Sequence, residues 1–265
     1  MKKSRFEFWQ ILYPIAIYYV VMSLSYFGLE VILGATTGEN YMVRQLLCGA
    51  ITIPFLLRFY LSDKKMRDVV YGEKKFKPNG KQIKTILLTI ATAATAGIAV
   101  NNLIAMTPMV ELSQGFQDAN ASFFGGEVLF QILGSCIIIP IAEELVFRGV
   151  VYQRLRIHFD VPKALILSAV IFGIVHTNVV QFIYAALLGS LLAFLYEKSG
   201  FFYVPVLGHA VANTIAVIRT ATGWLMFSYE PTAAGIGVTL AFLVAAAGLI
   251  WYQVREWQAE RKGKI

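Results

Sequence analysis

Eight long apolar runs separated by short polar breaks dominate this chain, at approximately 8–33, 41–60, 85–107, 127–152, 163–178, 179–197, 203–221 and 233–253. A hydrocarbon core of roughly 30 Å takes about 20 apolar residues per helix, so 265 residues leave room for about eight spans and little besides. The expected fold is all-α: a polytopic membrane helix bundle of about eight transmembrane helices. Composition agrees, with 57% hydrophobic residues against 15% charged, the charges lying in clusters between the apolar runs. The run from Phe8 to Leu33 is too long for a signal peptide and leads straight into a second run, so it reads as a retained first helix. Cys48 and Cys136 both fall inside apolar runs, where they pack rather than pair, and they say nothing about redox compartment.

The formal charge of +7 does not point to nucleic acid, because the lysines and arginines gather at helix ends and not on one amphipathic face. They set topology instead. With the N-terminal Met-Lys-Lys-Ser-Arg inside, the inner segments and their flanks take all but two of the 23 basic residues. Only Arg44 and Arg219 lie toward the outside, where Glu39, Glu111, Asp118, Glu127 and Glu230 make the loops acidic. Both termini are therefore expected in the cytoplasm. The Ser62–Lys84 loop, with eight basic residues against three acids, reads as a topology anchor, with binding of anionic lipid or a partner as its alternative. Small residues in Thr89–Gly97 and Ala245–Gly248 suit close helix packing. No repeat or low-complexity tract divides the chain: it is expected to form one integral membrane domain over 1–265, with N-terminal helices at 1–120, a core at 125–220, and a last helix with a basic tail at 233–265.

Ionisable groups inside a span cost about 2.5–3.5 kcal/mol each on insertion scales, so those retained face a protein interior or a water-filled cavity. Here they are concentrated in three runs: Glu143, Glu144 and Arg148 in the fourth, His176 in the fifth, and His209 with Asn213 in the seventh. Glu143 lies 13 residues before Arg156, His176 13 after Lys163, and His209 11 after Lys198. At about 1.5 Å per helical residue all three stand roughly 16–20 Å from the inner ends. A loop at Phe201–Pro205 would instead bring His209 closer to the inner surface.

Spacing separates the roles. Glu144 and Arg148 are four apart on one face and suit an ion pair, while Glu143 is turned about 100° away and is free to face elsewhere. His209 and Asn213 also share a face, and both can donate hydrogen bonds toward one point, as a developing oxyanion requires. Pro140 removes one helical hydrogen bond, freeing the Cys136 carbonyl and favouring a kink that admits water to Glu143. Plain structural readings stand beside these. A single intramembrane histidine serves equally well as an interhelical hydrogen-bond partner, and Glu144 with Arg148 reads as structural. The third histidine, His158, sits in a basic inner loop and is expected to be solvated.

The segments Glu143-Glu-Leu-Val-Phe-Arg148, Phe172-Gly-Ile-Val-His176 and His209-Ala-Val-Ala-Asn213 resemble, in order and spacing, the EExxxR, FxxxH and HxxxN motifs of the CPBP family. That family holds the CAAX proteases and bacteriocin-processing enzymes and is also called the Abi family. The resemblance covers about 125–220 and implies a glutamate-dependent intramembrane endopeptidase. In it, the residue matching Glu143 activates water with help from the one matching His176, while His209 and Asn213 match oxyanion positions; Glu144, Arg148 and Phe172 support them. The implied partners are a peptide or membrane-protein substrate, prenylated ones included, and the lipid bilayer. The short loops suit a bacterial plasma-membrane protein.

Glu143, His176 and His209 offer donors for zinc, but the H-E-x-x-H pairing is missing, and a metal-free mechanism without cofactor is the expectation. Two non-peptidase alternatives are a membrane partner or bacteriocin self-immunity protein of the same fold, and a transporter that relays protons. The complete Glu143, His176, His209 and Asn213 set argues against a pure binder. The lack of inverted repeats or paired broken helices argues against a transporter.

Overall fold

The computed structural model describes residues 7–71 and 79–262, which leaves the N-terminal basic cluster, the centre of the Ser62–Lys84 segment and the last three residues outside the description. The described residues form helices and no strand. In chain order these are α1 (Trp9–Leu33), α2 (Gly38–Tyr71), α3 (Gly80–Ala105), the short α4 (Met109–Leu112) and α5 (Gln114–Phe124), α6 (Val128–His158), α7 (Val161–Ile174), α8 (Val179–Ser199), α9 (Tyr203–Thr222), a 3-10 turn at Met226–Tyr229, and α10 (Ala233–Lys262).

Seven of these helices are long and apolar enough to cross a membrane, and α7 is a shorter apolar one. The expected fifth span is thus corrected. Its 14 helical residues reach only about 21 Å, and the chain turns at His176–Asn178 before α8 begins. Thr177 takes a left-handed φ of 62° there, and Asn178 caps α8 by accepting from the Gln181 backbone N–H at 2.9 Å. Gly173 allows the hairpin to close, since a Cβ at that position would meet the Phe182 carbonyl oxygen at 2.8 Å.

Two other helices outrun their apolar cores. α2 continues to Tyr71 through charged sequence, where Lys64 pairs with Asp68 one turn on and Asp63 bonds Arg154 of α6 at 2.7 Å. α10 continues to Lys262, so most of the expected basic tail is helical. Arg44 and Arg219 are almost fully buried. Arg44 donates to the Gly34 carbonyl at the end of α1, 2.5 Å away, and Arg219 donates to the Leu225 carbonyl at 2.8 Å. Both outer arginines are thus engaged by backbone carbonyls of the loops beside them.

The small residues of α3 work as their spacing suggests. Thr89, Thr92, Ala93 and Gly97 are buried, and a Cβ at Gly97 would lie 3.5 Å from that of Ala212 on α9. On α10, Ala246 is buried, whereas Gly248 faces open space. One core cluster joins Leu188, Leu192 and Leu195 of α8 to Val204 and Ala212 of α9. A second gathers α1, α6, α7 and α8 around Tyr18, Phe147 and Phe172. The polar residues of α6 lie between them.

Candidate active site

Helix α6 is not a uniform α-helix. Residues Ile132–Ile138 and Leu145–Tyr152 are π-helical and flank the α-helical Ile139–Glu144 that carries both glutamates. Widened turns of this kind concentrate at functional sites because they re-aim side chains and loosen the backbone ladder. The first has a local cause. The Ile139 N–H bonds the Gly134 carbonyl, five residues back, and in that register the donor for Ser135 would come from Pro140, which has no N–H. The carbonyl set free is therefore that of Ser135 and not, as an α-helical register implies, that of Cys136. Asn213 of α9 fills the gap by donating its Nδ2 to the Ser135 carbonyl at 2.7 Å.

Glu144 sits at the centre of the polar cluster. Its Oε1 accepts from Arg148 Nη1 at 2.7 Å and from His209 Nδ1 at 2.8 Å, and both Glu144 and Arg148 are fully buried. A carboxylate only accepts, so this contact puts a proton on His209 Nδ1 and directs Nε2 away from Glu144. His209 Nε2 stands 3.7 Å from Glu143 Oε2, and the Glu143 side chain remains 16% exposed against 0% for Glu144. The two neighbouring carboxylates thus divide their tasks: one is locked into a buried pair, the other borders open space. Glu144 serves His209 as well as Arg148, a link between helices that i,i+4 spacing does not reveal.

Phe172 ties the cluster together. The Arg148 guanidinium lies over its ring at 4.2 Å, a cation–π contact that replaces part of the lost solvation. Gly189 of α8 makes room for the pair, since a Cβ there would lie 2.8 Å from Arg148 Nη2 and 3.0 Å from Phe172 Cδ1. The edges of both imidazoles meet the same Phe172 ring, His176 at 4.9 Å and His209 at 6.0 Å between centroids. His176 Nδ1 donates to the Phe172 carbonyl at 2.7 Å, which leaves its Nε2 as the nitrogen free to accept. Half-buried at the α7–α8 turn, His176 is reached from α1 by Tyr19, whose hydroxyl donates to the Val175 carbonyl at 3.3 Å.

Glu143, Glu144, Arg148, Phe172, His176, His209 and Asn213 are therefore neighbours in one site, as their depths suggest. His158 is not part of it; it is half-buried in the last turn of α6. Asn213 and His209 share a helix face, and each has one donor already engaged, on the Ser135 carbonyl and on Glu144. Among the described residues no three His, Cys, Asp or Glu side chains converge as ligands for a metal ion.

Residues 125–215 match the family of type II CAAX prenyl endopeptidases described as Rce1-like. The site lies wholly inside that segment. Over this stretch the chain is similar to type II CAAX prenyl endopeptidases. A curated relative from Bacillus subtilis (strain 168), named "Putative membrane peptidase YdiL", is 35% identical over 91 residues, which are 34% of this chain and 37% of the relative. The matched segment spans little more than a third of that relative's length. No solved structure matches the chain.

Proposed function

We propose that this protein is an intramembrane endopeptidase of the CAAX type, in which Glu143 activates water for attack on a peptide bond. The observation that carries the reading is the asymmetry of the two glutamates, with Glu144 buried against Arg148 and His209 and Glu143 partly exposed beside His209 Nε2. Glu143 takes a proton from water, and the hydroxide adds to the substrate carbonyl. The C–N bond then breaks as protonated Glu143 gives the proton to the leaving amine. His176, its Nδ1 tied to the Phe172 carbonyl, orients the water through Nε2. His209 donates to the developing oxyanion through an Nε2–H while its Nδ1–H stays on Glu144. Asn213 contributes its remaining amide N–H while the first holds Ser135.

No metal has a step in this mechanism. That choice rests on the missing H-E-x-x-H pairing of the sequence, and zinc held by Glu143, His176 and His209 is the alternative. The substrate we infer is a peptide or membrane-protein segment presented from the bilayer, with a prenylated C-terminus as the class that the family match suggests, and the setting is the plasma membrane. Comparing the peptides released by cells carrying wild type with those from cells carrying Glu143→Gln tests the reading. Peptides that depend on the intact glutamate support a peptidase, whereas identical peptide sets favour the non-proteolytic partner.

A further inference from the structure

At the basic end of the bundle, α3, α8, α9 and α10 enclose a cavity of about 510 Å³ whose lining includes none of the candidate active-site residues. Its floor is partly apolar, with Leu88, Leu195 and Val204 beside Thr89 and Gln253, and its rim carries Lys81, Lys84, Lys198 and Arg261. Three carboxylates also line it, Glu197, Glu256 and Glu260. Glu197 is already engaged from outside the cavity, by Arg156 at 3.1 Å and by the Tyr152 hydroxyl at 2.8 Å. The remaining two acids must serve four cations. Glu260 pairs with Lys81 at 2.7 Å, and the single carboxylate of Glu256 is shared by Lys84 at 2.5 Å and Lys198 at 2.6 Å. Arg261 stacks on the Trp257 ring at 4.7 Å.

From these observations we propose that the cavity is a binding site for the headgroup of an anionic phospholipid. The phosphate supplies the negative charge that the rim lacks, bonding Lys84, Lys198 and Arg261, whose ammonium and guanidinium donors exceed their carboxylate partners. The apolar portion of the floor takes the first part of an acyl chain. Position supports a lipid over a soluble anion: the cavity lies where the apolar helices give way to their charged ends, and the Trp257 indole stands on its wall as at membrane interfaces. A bound lipid joins the start of α3 to the ends of α8 and α10, three elements held there by ion pairs that salt screens. This site is independent of the peptidase reading, since it shares no residue with the glutamate cluster.

Full-length protein in a neutral detergent is titrated with phosphatidylglycerol, phosphatidylcholine or inorganic phosphate, following the thermal unfolding midpoint and the bound lipid by native mass spectrometry. Phosphatidylglycerol is expected to bind saturably and raise the midpoint, with phosphatidylcholine binding more weakly. Each cation removed should weaken binding about fivefold, and Lys84→Gln with Lys198→Gln together about 25-fold. Arg261→Gln, on an exposed helical turn, gives the single-cation result even if the double variant does not fold. Unchanged phosphatidylglycerol affinity in Arg261→Gln and in the folded double variant overturns the site. An equal saturating shift with inorganic phosphate overturns the lipid assignment and leaves a free-phosphate site.

Discussion

Asn213 donates to the backbone carbonyl of Ser135 across 2.7 Å, joining two helices at the acceptor that Pro140 cannot satisfy. The bond holds α9, with His209 one turn earlier, in register with the segment of α6 that carries Glu143 and Glu144. Asn213 therefore has a structural task besides the oxyanion role proposed for it.

Asn213→Ala should lower stability by about 1–3 kcal/mol, the cost of leaving a buried carbonyl unpaired, and lower activity by about 10²–10³. Pro140→Ala restores an N–H that can bond Ser135. Adding it to Asn213→Ala should recover part of the lost stability without the lost activity. A double-mutant cycle from thermal unfolding in detergent measures this; strictly additive effects contradict the proposed link.

Arg148→Ala should behave differently from the other site variants. It strips Glu144 of its buried cation and empties the space beside Phe172 and Gly189. Removing one partner of a buried pair typically costs about 3–5 kcal/mol, so the yield of folded protein should fall along with activity. Wild-type yield, measured by size-exclusion recovery, contradicts the central position given to Glu144.

Topology is open to a direct check. α7 and α8 enter and return on one side, so a shortened α7 leaves the two ends of the chain on the same face as eight full spans do. A reporter fused after Ile265 should be cytoplasmic, and one inserted near Gln117 in α5 should be outside. Opposite sides for the two chain ends contradict the bundle.

The metal-free mechanism makes its own demand. Purified protein should keep its activity after prolonged treatment with a strong chelator. Stoichiometric zinc, with activity lost on its removal and regained on its return, contradicts the mechanism.

Much of this architecture was legible in the sequence, because a bilayer filters residues harshly: long apolar runs become helices, and charges kept inside them converge. What was hidden depends on partners distant in the chain. The runs 163–178 and 179–197 abut at His176-Thr-Asn178, and nothing in their hydropathy shows that α7 stops short of a full span. Asn178 and Gln181 were the available signal, a cap and its third helical residue that bond each other reciprocally. The π turn was less accessible, since Pro140 frees one carbonyl in an α register and a neighbouring one in a π register, and a side chain 73 residues beyond Pro140 occupies the second. Likewise, spacing joined Glu144 to Arg148 but did not show that the same oxygen accepts from His209.

The measurement that bears most directly on the mechanism is cleavage of a prenylated or membrane-anchored reporter by protein reconstituted in liposomes, normalised to folded protein. Glu143→Gln preserves size but removes the base, so cleavage should vanish while the unfolding midpoint stays near wild type. His176→Ala should come close to it. Cleavage by Glu143→Gln at the wild-type rate contradicts the catalytic assignment.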